Sequence, residues 1–438
     1  MFKTLQNAFK IKEIRQKLIF TFLMVIVIRF GSVLPVPGVN RTFLANWLQN
    51  QTGDAFNLID AFTGGSLASM SLFALGINPY ITSSIIMQLL TIAIPKLEEM
   101  QKDGEDGRKK IQTITRYVTV VLALIEGVAM TVGFGGQGLL ENAVWYNMAV
   151  VVAALTAGSA FLMWIGERIT QKGVGNGISI VLLINIVSRI PDDFVRLYEM
   201  FMKNNTVAKG ALAALIILAV VLMTVVFVII LQGGERRIPV QYSKKLQGKK
   251  YVGGQSTHIP MKVNTAGVIP VIFASSLMSF PGVIVALLGK SGGTGMGGKI
   301  LRALSSSNWC NPKEPVYTLG LLLYIILVVF FAYFYTSITF NPMEIADNMK
   351  KQGGFIPGIR PGRPTTEYLT KILNYIVFVG AIGLIIVCVI PILFNGVFGA
   401  NVSFGGTSII IIVGVVLETL KQIESQMAVR YYKGFLND

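Results

Sequence analysis

The 438-residue chain is 53% hydrophobic and only 14% charged, with a formal net charge of +16 and a mean hydropathy of +0.63. Soluble domains carry about 25% charged residues, so this composition excludes a set of soluble domains and predicts one integrated membrane bundle. The two cysteines, Cys310 and Cys388, predict no disulfide, because Cys388 lies in an apolar run and Cys310 in a loop.

Ten apolar runs predict ten membrane spans. In chain order they are Leu18–Leu34, Gly64–Ile94, Tyr117–Phe134, Met148–Ile165, Gly177–Ile190, Ala211–Leu231, Ala266–Leu288, Val316–Thr339, Leu373–Phe394 and Ser408–Leu420. The first run has no small-residue cleavage site after it, so we interpret it as a retained span and not as a removed signal.

The second run is broken at Asn78-Pro79. Asn is a good N-cap and Pro is favoured at the first helical position, so the pair predicts a helix that begins at Pro79 and ends at Ile94. Such a helix is about 24 Å long, which is short of a hydrocarbon core of about 30 Å. Broken backbone at membrane depth is tolerated only inside protein or beside a cavity, which is typical of channels and transporters. The fifth run is also short, because Pro191 is expected to close it.

The basic residues predict the orientation. Segments 1–17, 96–116, 166–177, 232–263, 340–371 and 421–438 carry 28 of the 38 Lys and Arg residues, and the segments on the other side carry nine. The positive-inside rule therefore predicts that both termini and the basic loops are cytoplasmic. Two of these loops are long and rich in Gly and Pro: the first basic loop (233–263) and the second basic loop (340–371). They are either ordinary topology signals or docking surfaces for an acidic partner or nucleic acid.

The sequence predicts no enzyme, cofactor or metal site. His258 is the single histidine and lies in a predicted loop, so no His-based triad emerges. Arg29 and Glu126 are charges within spans, where such groups often mark ion pathways. Arg29 is a candidate to extend toward a membrane interface, and Glu126 is a candidate either to pair with Arg29 or to face a cavity. The breaks themselves carry no carboxylates, which argues against a proton-coupled transporter.

Aliphatic side chains line the breaks instead. Helical spacing from Pro79 places Ile81, Ile85, Gln88 and Leu89 near one face. The same spacing places Ile178 and Leu182 together. These residues either pack the bundle or form a hydrophobic constriction that seals by dewetting.

Several segments together resemble the SecY family, the channel subunits of the general protein translocase, over nearly the whole chain. They include SLFALGINPYITSSIIMQLL at the broken run, ERITQKGVGNGISI before the fifth run, QSTHIPMKVNTAGVIPVIFASS at the seventh and NPMEIADNMKKQGGFIPGIRPG in the second basic loop. The resemblance implies an all-α fold of ten spans in two pseudosymmetric halves around an hourglass pore, with a short re-entrant plug helix at about 57–71.

The resemblance also assigns roles to residues. The implied pore ring is Ile81, Ile85, Ile178, Leu182, Ile272 and Ile411. The implied plug residues are Asp60, Gly64, Gly65, Ser66, Leu67 and Ser69. Gln88 and Asn264 are candidates for a lateral gate between spans 2 and 7, although Asn264 is equally explained as an N-cap before Ala266. The implied docking residues are Arg236, Arg237, Lys249, Lys250 and Arg360.

The implied function is passage of unfolded secretory chains across the bacterial cytoplasmic membrane, and insertion of membrane proteins into it. The implied partners are SecE, SecG, the SecA motor, the ribosome, signal peptides and lipid. The expected organisation is residues 1–190 as the first half, 191–232 as a loop and span 6, 233–263 as a docking loop, 264–339 as spans 7 and 8, 340–371 as a docking loop, and 372–438 as spans 9 and 10 with a tail. The alternatives are a secondary transporter with broken helices and a structural scaffold.

Overall fold

The computed structural model describes residues 6, 8–40, 60, 62–140, 144–201, 207–242, 245–247, 250–252, 256–287, 296–305, 309–310, 315–398 and 406–434. Its main helices, labelled in chain order, are α1 (Lys12–Val33), α2 (Asn78–Ala93), α3 (Pro95–Lys102), α4 (Gly104–Phe134), α5 (Trp145–Lys172), α6 (Gly177–Phe201), α7 (Val207–Gly233), α8 (Ile269–Leu287), α9 (Met296–Leu304), α10 (Leu319–Thr339), α11 (Pro342–Lys351), α12 (Arg363–Phe398) and α13 (Gly406–Gly434). A helix forms at each of the ten predicted places. We call α1, α2, α4, α5, α6, α7, α8, α10, α12 and α13 spans 1 to 10.

Six of these spans are long and apolar enough to cross a membrane by themselves, namely spans 1, 3, 4, 6, 8 and 9. Span 2 and α3 meet the same test together as a bent pair, with an angle of 107° between them. The chain is therefore an all-α polytopic membrane protein, as the sequence predicts.

The break before span 2 forms where the sequence predicts it, with one difference in its cap. The helix begins at Asn78 and the N-cap is Ile77, so Asn78 is not the capping residue. Pro79 occupies the first turn, where its missing N–H leaves no hydrogen bond unmade. Pro95 opens α3 in the same way. Proline at two helix starts thus produces one short helix flanked by sharp turns.

Two predicted boundaries are wrong. Span 5 does not end at Ile190, because α6 continues through Pro191 to Phe201. A proline within a helix removes one hydrogen bond and bends the helix, but packing of the surrounding chain can keep the helix intact. Span 7 begins at Ile269 instead of Ala266, and residues 263–268 form turns. Asn264 is therefore not a helix N-cap.

The two basic loops form a β-structure of two separate sheets, which the sequence pattern does not predict. Its strands are β1 (Glu235–Tyr242), β2 (Lys245–Gln247), β3 (Lys250–Val252), β4 (Ser256–Lys262) and β5 (Gly354–Phe355). The strands β2 and β3 pair only with each other, and β5 joins the two loops through β1. The order β4-β1-β5 is antiparallel, with Ile238 opposite Ile259 and Gln241 opposite Phe355. Ile238 and Val240 alternate with exposed residues on β1 and are buried against spans 8 and 9.

The core is divided by the two halves of the chain. One apolar cluster packs spans 3 and 4 with residues 36–39 and 67–75. Another packs spans 6 to 10. A third cluster, which we call the central aliphatic cluster, draws residues from spans 1, 2, 4, 5, 7 and 10 and so joins the two halves.

Candidate functional site

Five of the six proposed ring residues lie together in the central aliphatic cluster: Ile81, Ile178, Leu182, Ile272 and Ile411. Leu182 and Ile411 are buried, at 8% and 3% exposure, while the other three are partly buried. The sixth, Ile85, is half-buried on span 2 and lies outside the cluster. The structure thus brings together side chains from four helices that are far apart in the sequence.

Each of these side chains lies near the start of its helix. Ile81 follows the start of span 2 at Asn78, Ile178 follows that of span 5 at Gly177, and Ile272 follows that of span 7 at Ile269. Leu182 and Ile411 lie one turn further into spans 5 and 10. Because these side chains offer no hydrogen bonds, they suit a surface that excludes water.

The proposed plug residues lie in a chain of turns beside this cluster. Asp60, Phe62 and Thr63 are helical, and residues 64–70 turn back before span 2 begins. Residues 57–59 and 61 of the predicted plug lie outside the described residues. Gly64 has φ = +67°, and a Cβ at this position would lie 3.0 Å from the backbone of Asn185. Glycine is therefore required there both by its dihedral angle and by close contact with span 5.

Polar contacts hold this segment against span 5. Arg189 Nη1 and Asp60 Oδ2 form an ion pair at 2.6 Å, with side chains 13% and 3% exposed. Asn185 Nδ2 donates a hydrogen bond to the Phe62 carbonyl at 3.0 Å. Asp60 Oδ1 accepts from the Ala68 amide at 2.9 Å, so one carboxylate links span 5 to the turn of the plug. Family resemblance implies Asp60 but neither Arg189 nor Asn185; the signal for these two is their polar character within an apolar helix.

The far end of the segment is fixed to other elements. The Leu72 amide donates to the Leu34 carbonyl at 2.7 Å, and the Val36 amide donates to the Met70 carbonyl at 3.1 Å. Ser159 of span 4 donates to the Gly76 carbonyl at 3.1 Å. Residues 70–76 are therefore tied to the frame of the bundle, whereas residues 60–68 are held by span 5.

The two proposed gate residues occupy different surroundings. Gln88 is half-buried on span 2. Asn264 is 6% exposed, and its Nδ2 has no hydrogen-bond partner among the described residues. The backbone at 263–264 lies against Gly380 of span 9. Span 7 packs mainly on span 8 and also on span 3.

Span 2 is joined to span 3 by hydroxyl groups. Ser83 Oγ donates to the Thr115 carbonyl at 2.7 Å, and Thr119 Oγ1 donates to Ser83 Oγ at 3.0 Å. All three side chains are buried. Nearby, Arg116 of span 3 pairs with Glu167 of span 4 at 2.7 Å. These bonds tie spans 2, 3 and 4 into one unit.

The two intramembrane charges singled out in the sequence do not pair. Both residues are described, and Arg29 and Glu126 form no ion pair with each other. Arg29 Nη1 is buried and has no hydrogen-bond partner in the described part of the chain. Of the two alternatives for Glu126, pairing with Arg29 is therefore excluded in this structure, whereas a position facing a cavity stays a prediction.

The proposed docking residues lie on the β-structure and the turn that follows it. Arg236, Arg237 and Arg360 are exposed. Arg237 pairs with Glu235 at 2.7 Å, and its hydrogen bond holds the pKa of Glu235 below the ordinary value. Lys249 lies outside the described residues, and the backbone of Lys250 lies in β3. Arg236 and Arg360 form no ion pair with any residue that the structure describes.

Similarity to known proteins agrees with this architecture. A family model described as SecY matches residues 71–420. The chain belongs to the SecY family. A protein translocase subunit SecY from Halalkalibacterium halodurans is 44% identical, over the whole of both chains.

Two solved structures share the fold at low identity. One concerns the plug domain of a SecY protein and its closed channel, with 20% identity, a TM-score of 0.60 and coverage of 94% of this chain and 92% of that one. The other is Sec61 in the canine ribosome-channel complex, with 19% identity, a TM-score of 0.59 and the same coverage. The SecY fold therefore extends over nearly the full chain, including the parts that precede and follow the family match.

Proposed function

We propose that this SecY-family chain forms a protein-conducting channel, through which unfolded secretory polypeptides cross a membrane and from which membrane segments leave sideways into lipid. The observation that carries the proposal is the central aliphatic cluster, in which side chains from both halves of a full-length SecY match pack together beside a segment of turns. A passage at this place would run between the halves, where apolar side chains hold them together.

The proposed seal is the ring of Ile81, Ile178, Leu182, Ile272 and Ile411, with Ile85 at its edge. A narrow aliphatic passage is dewetted and blocks ions without any fixed binding site. A polypeptide of any sequence could displace these side chains, because they hold no hydrogen-bonding groups that would select for one residue type. The same chemistry that blocks ions therefore tolerates a varied cargo.

The proposed plug is the segment from about 57 to 71. Phe62 of this segment packs in the central aliphatic cluster. Asp60 pairs with Arg189 of span 5, and the Phe62 carbonyl accepts a hydrogen bond from Asn185 of span 5. Its displacement would open the passage across the membrane. The related SecY structure is described in terms of a plug domain that stabilises the closed state, which supports this role here.

The proposed lateral exit lies between spans 2 and 7. Spans 2 and 3 would move together because the Ser83–Thr115–Thr119 hydroxyl network joins them. Span 7 would move with span 8, on which it packs. Gln88 and Asn264 would flank this exit, and a signal sequence would insert between the two pairs of helices.

The proposed docking surface is the joined structure of the two basic loops, with Arg236, Arg237, Lys249, Lys250 and Arg360. Its basic charge suits ribosomal RNA or an acidic face of a motor protein. The canine relative is a ribosome-channel complex, which supports a ribosome as one partner. SecA, SecE, SecG and lipid are the further partners that we propose from family membership.

The proposed location is the bacterial cytoplasmic membrane, with both termini and the basic loops on the cytoplasmic side. The charge bias of the loops supports this orientation. The first half would end with span 5, which continues past the expected boundary at residue 190 to Phe201, and the second half would hold spans 6 to 10 with docking loops at 233–263 and 340–371. The curated relative is named a protein translocase subunit and the two solved structures are described as channels, which favours a protein channel over a secondary transporter.

Transport by the purified chain tests this proposal. The full chain would be reconstituted in vesicles with its proposed SecE partner, SecA and ATP, and offered a radiolabelled secretory precursor. We expect the precursor to become protected from external protease, and a precursor without its signal sequence to stay accessible. Equal protection of both precursors, or saturable uptake of a small solute driven by an ion gradient, would contradict the proposal.

A further inference from the structure

The ion pair between Asp60 and Arg189 is deeply buried, with side chains 3% and 13% exposed. The Arg116–Glu167 pair is less buried, with Arg116 37% exposed, and pairs such as Arg363–Glu367 are largely open to solvent. One partner belongs to the plug segment and the other to span 5. The pair therefore crosses the boundary along which the plug would have to separate.

The hydrogen bonds around this pair are incomplete. Both carboxylate oxygens of Asp60 accept hydrogen bonds, one from the Ala68 amide and the other from Arg189. Arg189 Nε, Asn185 Oδ1 and Ser66 Oγ are buried and have no hydrogen-bond partners among the described residues. Buried polar atoms that lack partners destabilise the state in which they are buried. Among the described residues the closed contact is therefore polar and only partly hydrogen-bonded, in contrast to the apolar packing of residues 67–75.

A buried ion pair of this kind fixes the position of the two segments that it joins and adds little net stability. The free-energy cost of transferring two charges from water into the protein offsets much of their mutual attraction. Mutation of one partner, in contrast, leaves the other charge buried and uncompensated. When the plug leaves, both charges regain water. The pair would then hold the plug in one register without making its release difficult.

We propose that the Asp60–Arg189 pair sets the closed position of the plug, and with it the resting leak of the channel; this inference rests on the proposed plug function. Asp60 and Arg189 act as positioning residues, because neither has to touch the translocating chain. Asn185 supports the same register through its bond to the Phe62 carbonyl.

Single and double neutralisations test this proposal. The variants are Asp60→Asn, Arg189→Gln and both together, in the full chain reconstituted in planar bilayers, with resting ion conductance as the readout. Each single change is expected to raise resting conductance by about tenfold or more, because it strands a buried charge. The double change is expected to raise conductance by less than the product of the two single effects, because the residues act as one unit. Arg189→Lys, which keeps the charge, is expected to have a smaller effect than Arg189→Gln.

Asp192→Asn is the matched control, since Asp192 is an exposed acid on the same helix. It is expected to leave conductance unchanged. Thermal unfolding in detergent is measured for every variant, because a merely structural pair would lower the unfolding temperature without a leak that depends on both partners. Wild-type conductance in the folded single variants, or single effects that multiply in the double variant, would overturn the proposal.

Precursor transport is also measured in vesicles that contain the wild-type chain or each variant. It distinguishes failure of the positioning role from failure of the proposed channel function. If the wild-type chain transports precursor and the variants show no leak, the positioning role fails while the channel function stands. If the wild-type chain transports no precursor, the proposed function itself fails.

Discussion

Gln241 of β1 lies opposite Phe355 of β5, so the loop before span 7 and the loop before span 9 are joined by strand pairing. Buried side chains of β1 and of the turn at Ile356 anchor this structure on spans 8 and 9. Both loops therefore rest on the same two helices. A partner that bound either loop, as proposed above, would act on spans 8 and 9.

Arg360→Glu is expected to reduce precursor transport by roughly tenfold, because reversal of an interfacial charge replaces attraction by repulsion. The side chain is exposed, so the unfolding temperature should not change. Transport into vesicles with ribosomes or SecA measures the effect. Arg363→Glu is the control, since Arg363 is exposed in the same loop and is already paired with Glu367 at 3.2 Å. Equal loss in both variants would indicate a general effect of charge and not a docking contact.

Ile272→Asn is expected to raise resting ion conductance by roughly tenfold, because a polar side chain in a dry constriction favours wetting. Ile81→Asn is expected to raise resting ion conductance by a similar factor. Single-channel recording gives the conductance. Ile85→Asn is an informative comparison, because Ile85 is on the same helix as Ile81 but outside the central cluster. A leak from Ile85→Asn as large as that from Ile81→Asn would mean that the ring includes all six positions implied by family resemblance.

Gly64→Ala is expected to loosen the plug. A left-handed dihedral angle costs an alanine about 1–2 kcal/mol, and the new Cβ would press on Asn185. The expected result is a higher resting conductance. Gly38→Ala separates strain from contact, because Gly38 has φ = +77° and a Cβ added there would meet no described atom within 4 Å. If Gly38→Ala leaks equally, backbone strain alone, rather than contact with span 5, explains the result.

Ser83→Ala is expected to lower the free energy of unfolding by about 1 kcal/mol, the usual contribution of a buried hydrogen bond. It removes the donor to the Thr115 carbonyl and the acceptor for Thr119. Thermal unfolding in detergent measures the loss. Ser84→Ala offers a neighbouring serine that is only half-buried, and it should change stability by less than about 0.5 kcal/mol. A larger effect at Ser84 would contradict the assigned network.

Local chemistry made part of this fold predictable. The break before span 2 follows from Asn78-Pro79, and the ten helices follow from apolar run length, because both depend on residues close together in the chain. Pro191 misled the prediction for the opposite reason: contacts made by the rest of the chain keep α6 helical where local preference would end it.

Features that depend on distant residues could not be derived from local pattern. Asp60 and Arg189 are 129 positions apart, and nothing in either segment indicates the other. The β-structure does not follow from the local pattern because β2, β3 and β5 are only two or three residues long, and because β5 comes from a separate loop. For the ring, family resemblance supplied Ile272 and Ile411, which helical spacing within one segment could not connect to Ile81.

A photocrosslinking amino acid at Ile272 tests the central claim most directly. The variant is offered a secretory chain stalled during transport, with the same probe at Leu277 as a control, since Leu277 lies on the same helix but is 55% exposed. The account predicts a crosslink from position 272 to the stalled chain that needs its signal sequence, and little or none from position 277. A folded, partner-bound variant that gives no signal-dependent crosslink at position 272 would contradict passage of a polypeptide through the central aliphatic cluster.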